Sequence, residues 1–234
     1  RDYKVTGVQT CALPILKRYI EQMKIGEKKE FLTDEKIKDF IKKLASGSPA
    51  PGGGAASALT GAEGVALLIM VTNFTIGRDR YREFEEDNLM MREKANEILS
   101  EFLIGIDKDK EAYYKLSEAF KLPKNTEEEK KLRRNEISKE AISAGLAPLR
   151  IMEIGVNGLK IAKGLIKNSN PNLIDDVYVG AIHLKASIDG AGRNVDANIP
   201  FIDDENKAEE IKEKCKKYKD EAEMLFKDII AEQK

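Results

Sequence analysis

Two aspartates one residue apart, Asp107 and Asp109, are the side chains of this sequence best suited to acid or base chemistry. They flank Lys108 in a stretch with helical spacing. Because helical residues two apart point in different directions, the two carboxyls do not form a pair, and one can face inward while the other is solvated. A buried aspartate with a raised pKa is suited to transfer a proton. The alternative is two surface acids on a lysine-rich helix.

A turn of prolines and glycines precedes a run of very small residues, in the order Pro49-Ala50-Pro51-Gly52-Gly53-Gly54-Ala55-Ala56-Ser57-Ala58-Leu59. This composition predicts the end of one helix and the start of the next. Exposed N–H groups and the positive end of the helix dipole at such a start favour an anionic ligand. The alternative interpretation is a tight turn whose small residues allow close helix packing.

Three further polar groups can hold a ligand. Arg78 and Arg80 can bind carboxylates or phosphates, although a solvated surface is the default for arginine. Asp176 begins a predicted helix, where an acid is expected as a partner of the helix dipole. Asn194 and Asn198 are four residues apart, so they share one helical face and can both contact a ligand or cap a neighbouring element.

Helical periodicity extends along most of the chain and predicts an all-α bundle of five to six helices. Thr33 is the predicted N-cap of the first helix, and Thr126 that of the fourth. The second helix begins near Gly54 and is nearly uncharged for two dozen residues, so it should be buried almost all round. The remaining predicted helices cover residues 83–121, 126–167, 173–199 and 205–231.

Composition excludes several classes of function. Forty Lys and Arg offset 41 Asp and Glu, so no overall field attracts nucleic acid or a membrane surface. Two cysteines and one histidine are too few for a disulfide framework or a typical zinc centre, so no metal is expected. His183 lies in an apolar run, which favours a hydrogen-bonded core position over a catalytic role. The longest apolar run, 65–71, is too short to span a bilayer. A cytoplasmic location is predicted.

The first fifteen residues, RDYKVTGVQTCALPI, match neither a signal peptide nor a transit helix. They resemble the translation of a sequencing adapter and are expected to lie outside the fold. Residues 16–234 are then predicted to form a single helical domain.

Several segments, in this order and spacing, together resemble the cyclodeaminase/cyclohydrolase family of folate one-carbon enzymes. The segments are 48–59 (SPAPGGGAASAL), 77–81 (GRDRY), 106–113 (IDKDKEAY), 122–130 (LPKNTEEEK), 147–149 (APL), 176–177 (DV) and 194–198 (NVDAN). The family includes free-standing methenyltetrahydrofolate cyclohydrolases and the C-terminal domain of formimidoyltransferase-cyclodeaminase. The resemblance extends from about Leu32 to the C-terminus.

The resemblance implies a dimeric helical bundle that binds a tetrahydrofolate derivative, which is a substrate rather than a cofactor. It implies Asp109 as the catalytic aspartate, with Asp107 as the fallback. Arg78 and Arg80 would hold the anionic, possibly polyglutamylated, tail. The implied substrate-binding set is Pro51, Gly52, Gly53, Gly54, Arg78, Arg80, Asp176, Asn194 and Asn198.

Two reactions fit one carboxyl group. In the cyclohydrolase reaction, water adds to the cationic carbon between N5 and N10 of methenyltetrahydrofolate, and the C–N5 bond then breaks. In the cyclodeaminase reaction, N10 attacks a formimino carbon on N5 and ammonia leaves. Hydrolysis is the preferred prediction and deamination the alternative. A non-catalytic helical dimer that binds folate or a protein is the second alternative.

Overall fold

The computed structural model describes residues 31–232, and within that range all the regular elements are helices. This confirms the predicted all-α class. The prediction that residues 1–15 are foreign falls outside the described residues. Six α-helices form the bundle: α1 (Ile37–Leu44), α2 (Gly53–Thr75), α3 (Glu85–Lys121), α4 (Glu127–Lys167), α5 (Ile174–Asn198) and α6 (Glu205–Ala231). Short 3-10 turns cover Leu32–Asp34, Asp79–Phe84, Pro171–Leu173 and Ile199–Phe201.

Helix α2 is the central helix and packs against α3, α4 and α5. Its glycines allow this close approach. A Cβ on Gly61 would lie 2.3 Å from the Phe102 ring, and one on Gly64 would lie 2.7 Å from the backbone oxygen of Gly180. Helices α2 and α5 are antiparallel, because Gly64 meets Gly180 while Gly53 meets Asn194. The start of α2 and the end of α5 therefore lie at the same end of the bundle.

Two predicted helix caps have opposite outcomes. Thr126 forms the capping box of α4, with its hydroxyl accepting from the Glu129 N–H at 3.2 Å. The predicted Thr33 cap is wrong, because α1 begins at Ile37 after an extended Lys36. Thr33 lies in a 3-10 turn and donates its hydroxyl to Asp107 at 3.0 Å. Thr33 is a residue type that often caps helices, but its hydroxyl is bound to Asp107 and caps no helix.

Helix α4 continues through Pro148, which lies buried in its interior. Proline has no N–H, so the carbonyl of Ala144, four residues earlier, lacks its usual helical donor. The side-chain Nδ2 of Asn198 donates to this carbonyl at 3.2 Å and so connects the end of α5 to α4. Asn198 of α5 thus supplies the hydrogen bond that Pro148 of α4 cannot donate.

Among the described residues, α2 alone is long and apolar enough to cross a membrane by length and composition. Slightly more than half of its most apolar window, 56%, is buried inside the bundle. A core helix of a helical bundle passes the same test, and the packing of α2 against three other helices is that of a core helix.

Candidate active site

A cavity of about 290 Å³ lies at the end of the bundle where α2 begins. Four separate parts of the sequence form it: the proline-glycine turn, the middle of α3, Ala144 of α4 and the end of α5. Of the predicted site residues, the cavity brings together Gly52, Gly53, Gly54, Asp109, Asn194 and Asn198.

Asp109 is the acidic residue of this cavity and caps α2 from a neighbouring helix. Its Oδ2 accepts a hydrogen bond from the Ala55 N–H at 3.0 Å, in the first turn of α2. Gly52, the N-cap residue of α2, offers no side-chain bond. Burial raises the pKa of Asp109, and the Ala55 hydrogen bond offsets part of that rise. The carboxyl group can therefore both accept and return a proton nearer to neutral pH than an exposed aspartate.

Asp107 points to a different place. Its Oδ1 accepts from the Leu32 N–H at 2.8 Å and its Oδ2 accepts from the Thr33 hydroxyl at 3.0 Å. The side chain is only 4% exposed and does not line the cavity. Burial raises its pKa, against the opposing effect of these two hydrogen bonds. The prediction that one of the two acids is solvated is wrong: Asp107 is buried and Asp109 is half-buried, so neither is a surface acid.

The two asparagines use their amide nitrogens for structure. Asn194 Nδ2 donates to the Gly190 carbonyl at 2.9 Å, and Asn198 Nδ2 donates to the carbonyls of Asn194 and Ala144. These bonds fix the direction of each amide group. Both Oδ1 atoms are left as acceptors for a ligand in the cavity, since no hydrogen bond to either is found in the described part of the chain.

Pro51 differs from its glycine neighbours. It is buried, follows a cis peptide bond from Ala50, and does not line the cavity, whereas Pro49 and Ala50 do. The turn therefore presents its first proline and its glycine backbone to the cavity and directs its second proline into the fold.

Arg78, Arg80 and Asp176 are not brought to this cavity within one chain. Helix α2 has 23 residues, which at 1.5 Å per residue places its last residue, Thr75, roughly 33 Å from Gly53, and Arg78 lies three residues further along the chain. Both arginines are exposed, and the Arg80 guanidinium lies 4.6 Å from the centre of the Tyr81 ring. Asp176 lies in the first turn of α5, at the same far end of the antiparallel pair. Their roles in binding remain predictions.

Sequence reasoning missed several lining residues: Pro49, Ala50, Ala112, Tyr113, Leu116, Ala144 and Ala197. Three of these residues lie three, four and seven positions after Asp109, so helical spacing from the candidate aspartate was a usable signal. The signal for Ala144 was Pro148, which lacks the N–H that would otherwise bond the Ala144 carbonyl four residues earlier.

His183 does not occupy the predicted hydrogen-bonded core position. It is half-buried, its Nδ1 is 3.6 Å from Glu63 Oε2, and this nitrogen has no hydrogen-bond partner. Within residues 31–232, no group of three or more His, Cys, Asp and Glu side chains is placed to hold a metal ion. Independence from metals remains a prediction.

The fold and the site together define the class of protein. It is a helical bundle with a cavity in which the Asp109 carboxyl, whose pKa is raised by burial, lies beside the side-chain amides of Asn194 and Asn198. The sequence model of the formiminotransferase-cyclodeaminase family matches residues 36–217. The chain belongs to this family, as its motifs predicted.

Curated relatives agree with this membership. The chain is 36% identical over 177 residues to methenyltetrahydrofolate cyclohydrolase of Methylorubrum extorquens, a match covering 76% of this chain and 85% of that protein. It is 31% identical over 193 residues to formimidoyltransferase-cyclodeaminase of Gallus gallus, covering 80% of this chain. That match spans only 35% of the longer chicken protein.

A solved structure shows the same fold. The crystal structure of formiminotetrahydrofolate cyclodeaminase from Thermotoga maritima superposes with a TM-score of 0.78 and 24% sequence identity. The match covers 85% of this chain and 96% of that one.

Proposed function

We propose that this protein is a methenyltetrahydrofolate cyclohydrolase in which Asp109 transfers the protons. The observation that carries the proposal is the Asp109 carboxyl, held at the start of α2 inside a cavity and raised in pKa by burial. Support also comes from the cyclohydrolase relative, which this chain matches over most of that relative's length.

The substrate carries a cationic carbon between N5 and N10. The Asp109 carboxylate takes a proton from water as the water oxygen bonds to this carbon, and it gives that proton to N5 as the C–N5 bond breaks. The remaining hydroxyl proton is released to solvent and the product is 10-formyltetrahydrofolate. Before the reaction, the negative carboxylate also stabilises the substrate cation.

The cavity lining suits a flat ring with polar edges. The Oδ1 atoms of Asn194 and Asn198 accept hydrogen bonds from ring N–H groups. Gly53 and Gly54 allow the ring to approach the backbone of α2 without a side chain between them. Tyr113 contributes an aromatic surface at the wall of the cavity.

The cyclodeaminase reaction is the second candidate, favoured by the formimidoyltransferase-cyclodeaminase relatives. There the same carboxyl takes a proton from N10 as N10 attacks the carbon of the protonated formimino group, and it gives that proton to the amino group, which leaves as ammonia. Both reactions pass through a tetrahedral carbon at the same place, so one site can serve both.

An assay of the purified protein on both substrates separates these functions. The proposal expects loss of the methenyltetrahydrofolate absorbance well above the uncatalysed rate, without a metal or nucleotide and in the presence of a chelator. Ammonia release from 5-formiminotetrahydrofolate alone would assign the deaminase. Folate binding without hydrolysis of methenyltetrahydrofolate and without ammonia release would assign the non-catalytic binding protein.

We further propose that the chain works in the cytoplasm as a homodimer and that its substrate carries an anionic glutamate tail. No lysine or arginine lines the cavity among the described residues. A cationic partner for the tail must therefore come from beyond the cavity wall.

A further inference from the structure

Arg133, near the start of α4, is an arginine whose charge no acidic side chain neutralises. Its guanidinium lies 5.9 Å from the centre of the Phe120 ring, and its Nη2 donates to the Phe120 carbonyl at 3.2 Å. Its Nε is buried without a hydrogen-bond partner, and no acid among the described residues forms an ion pair with it. The charge of this guanidinium is therefore available to an anion.

The bond to Phe120 has a structural role of its own. Phe120 lies in the last turn of α3, where a cation is a favourable partner for the free carbonyls and for the helix dipole. This bond uses only one of the several N–H donors of the guanidinium. By contrast, the neighbouring Arg134 is fully paired, with two bonds to Asp203 at 2.6 and 2.9 Å. Helix capping accounts for the position of Arg133 but leaves its remaining donors unused.

Two helices lead from the Asp109 cavity to Arg133. Along α3, Asp109 and Leu116 line the cavity, and Phe120 follows one turn later. Along α4, Ala144 lines the cavity, and Arg133 lies eleven residues before it, or about three turns away on the same face. Because α3 and α4 are consecutive and joined by a short connection, these two directions lead to the same end of the bundle.

The end of α5 leads to the same place. Asn198 lines the cavity, and Phe201 follows in the next 3-10 turn. The Phe201 ring meets the Phe120 ring edge to face, with centroids 5.2 Å apart, and the two residues are 42% and 38% exposed. An exposed aromatic pair therefore follows the outermost cavity residues, and Arg133 lies over one ring of that pair.

We propose that Arg133 binds a carboxylate of the glutamate tail of the folate held beside Asp109, and that the Phe120 ring positions its guanidinium. The inference rests on the proposed function, in which the substrate is anionic. The cavity that holds this substrate has no lysine or arginine in its described lining. Arg133 supplies the missing cation from the same chain.

The separation of the two sites fits a folate with its tail. Phe120 lies eleven residues after Asp109, or about 17 Å along α3. Helical side chains lean towards the N-terminus of their own helix, so the Phe120 ring lies nearer to Asp109 than its backbone does. The benzoyl group and first glutamate reach about 10 Å from the reactive carbon. Each further γ-linked glutamate extends the tail towards Arg133.

Other cations are less well placed within one chain. Lys108 and Lys115 line a separate groove between α3 and α4, which shares only Ala112 with the cavity. Arg78 and Arg80 lie at the far end of α2. A binding test that depends on the tail distinguishes these candidates from Arg133.

Substrates with and without the tail test the proposal. The Arg133→Gln protein should show a KM for methenyltetrahydrofolate triglutamate raised about tenfold, from a lost charged hydrogen bond. Its KM for methenyltetrahydropteroate, which has no glutamate, should match that of wild type, as should kcat on both substrates. A purely structural role would raise both KM values together, and that result, or no rise on either substrate, would overturn the proposal.

Arg134→Gln is the matched control. It removes the same charge from the same turn of α4, but from an exposed arginine already paired with Asp203. This variant should keep the wild-type KM on both substrates, and a tail-dependent rise equal to that of Arg133→Gln would overturn the assignment. Arg133→Lys, which retains the charge, should show a smaller rise than Arg133→Gln. A larger tail-dependent rise in Lys108→Gln/Lys115→Gln or Arg78→Gln/Arg80→Gln protein would place the tail elsewhere and overturn the proposal.

Calorimetry with p-aminobenzoyl triglutamate, which lacks the reacting ring, separates this proposal from the proposed function. Wild-type protein should bind this fragment, and Arg133→Gln protein, shown to be folded by its thermal melt, should bind it about tenfold more weakly. Equal binding by the two proteins would overturn the tail site even if wild-type protein hydrolyses methenyltetrahydrofolate. If wild-type protein turns over neither folate, the proposed function fails, and the difference in fragment binding still decides the role of Arg133.

Discussion

The carboxylate of Asp109 accepts the N–H of Ala55 at 3.0 Å and so caps a helix to which it does not belong. One bond therefore serves two purposes. It satisfies a free donor at the start of α2, and it holds the carboxyl beside the glycine turn at the cavity. The positive end of the α2 dipole and the low polarity of the surroundings act on the carboxyl in opposite directions, and burial dominates its pKa.

Gly54→Ala should disable the site without unfolding the protein. A Cβ there would lie 1.9 Å from Asp109 Oδ1, so the carboxyl must move. A displacement of this size near the reacting atoms costs about a hundredfold in kcat. Steady-state kinetics and a thermal melt would measure both effects.

Gly53→Ala is the matched control for this substitution. Its Cβ would meet nothing nearer than Asn194 Nδ2 at 3.4 Å, an ordinary contact. Equal losses of activity in the two variants would show that small volume at the turn matters, and not the position of Asp109.

Asn198→Ala should destabilise the fold because it leaves the Ala144 carbonyl without a donor. An unsatisfied buried carbonyl costs about 1–3 kcal/mol in the free energy of unfolding. In a Pro148→Ala background the new N–H supplies that bond, so the same substitution should cost less there. Urea unfolding of the four proteins in this double-mutant cycle should give a coupling of about 1 kcal/mol. A coupling near zero would contradict the proposed link.

The contribution of Asp107 to stability should fall as pH rises through its raised native pKa. The native pKa of Asp107 lies above its ordinary value of 3.8, so the native state binds more protons than the unfolded state. The stabilising contribution of this proton is complete below pH 3.8 and is lost as pH rises through the native pKa.

Asp107→Asn removes this titration. Its free energy of unfolding relative to wild type should therefore increase from acid to neutral pH, as measured by denaturant titrations at several pH values. A difference that does not change with pH would show that Asp107 titrates in the fold as it does in the unfolded chain.

Much of the fold was predictable because helix signals are local. Thr126 with Glu129, the proline-glycine turn and the charge-poor stretch of α2 each define an element from a few neighbouring residues. Thr33 was misassigned because its partner, Asp107, is 74 residues away in the sequence. Spacing along one helix cannot reveal such a contact.

The site was predictable only in part. Asp109 and the glycines came from motifs, but their meeting depends on how α2 packs against α3. The distance of Arg78 from the cavity follows from the length of α2, because all 23 residues of that helix lie between the glycine turn and the segment that carries Arg78. The motifs identified these residue types, but they contain no information on the distance between Arg78 and the cavity that holds Asp109.

The central claim is tested most directly by comparing Asp109→Asn with Asp107→Asn in the hydrolysis of methenyltetrahydrofolate. Both substitutions replace an inward-facing carboxyl with an amide of the same shape. Folate binding by calorimetry controls for the integrity of the cavity. The account predicts that Asp109→Asn lowers kcat by about a hundredfold or more while folate still binds, and that Asp107→Asn stays close to wild type. Wild-type turnover by the Asp109→Asn protein would contradict the account.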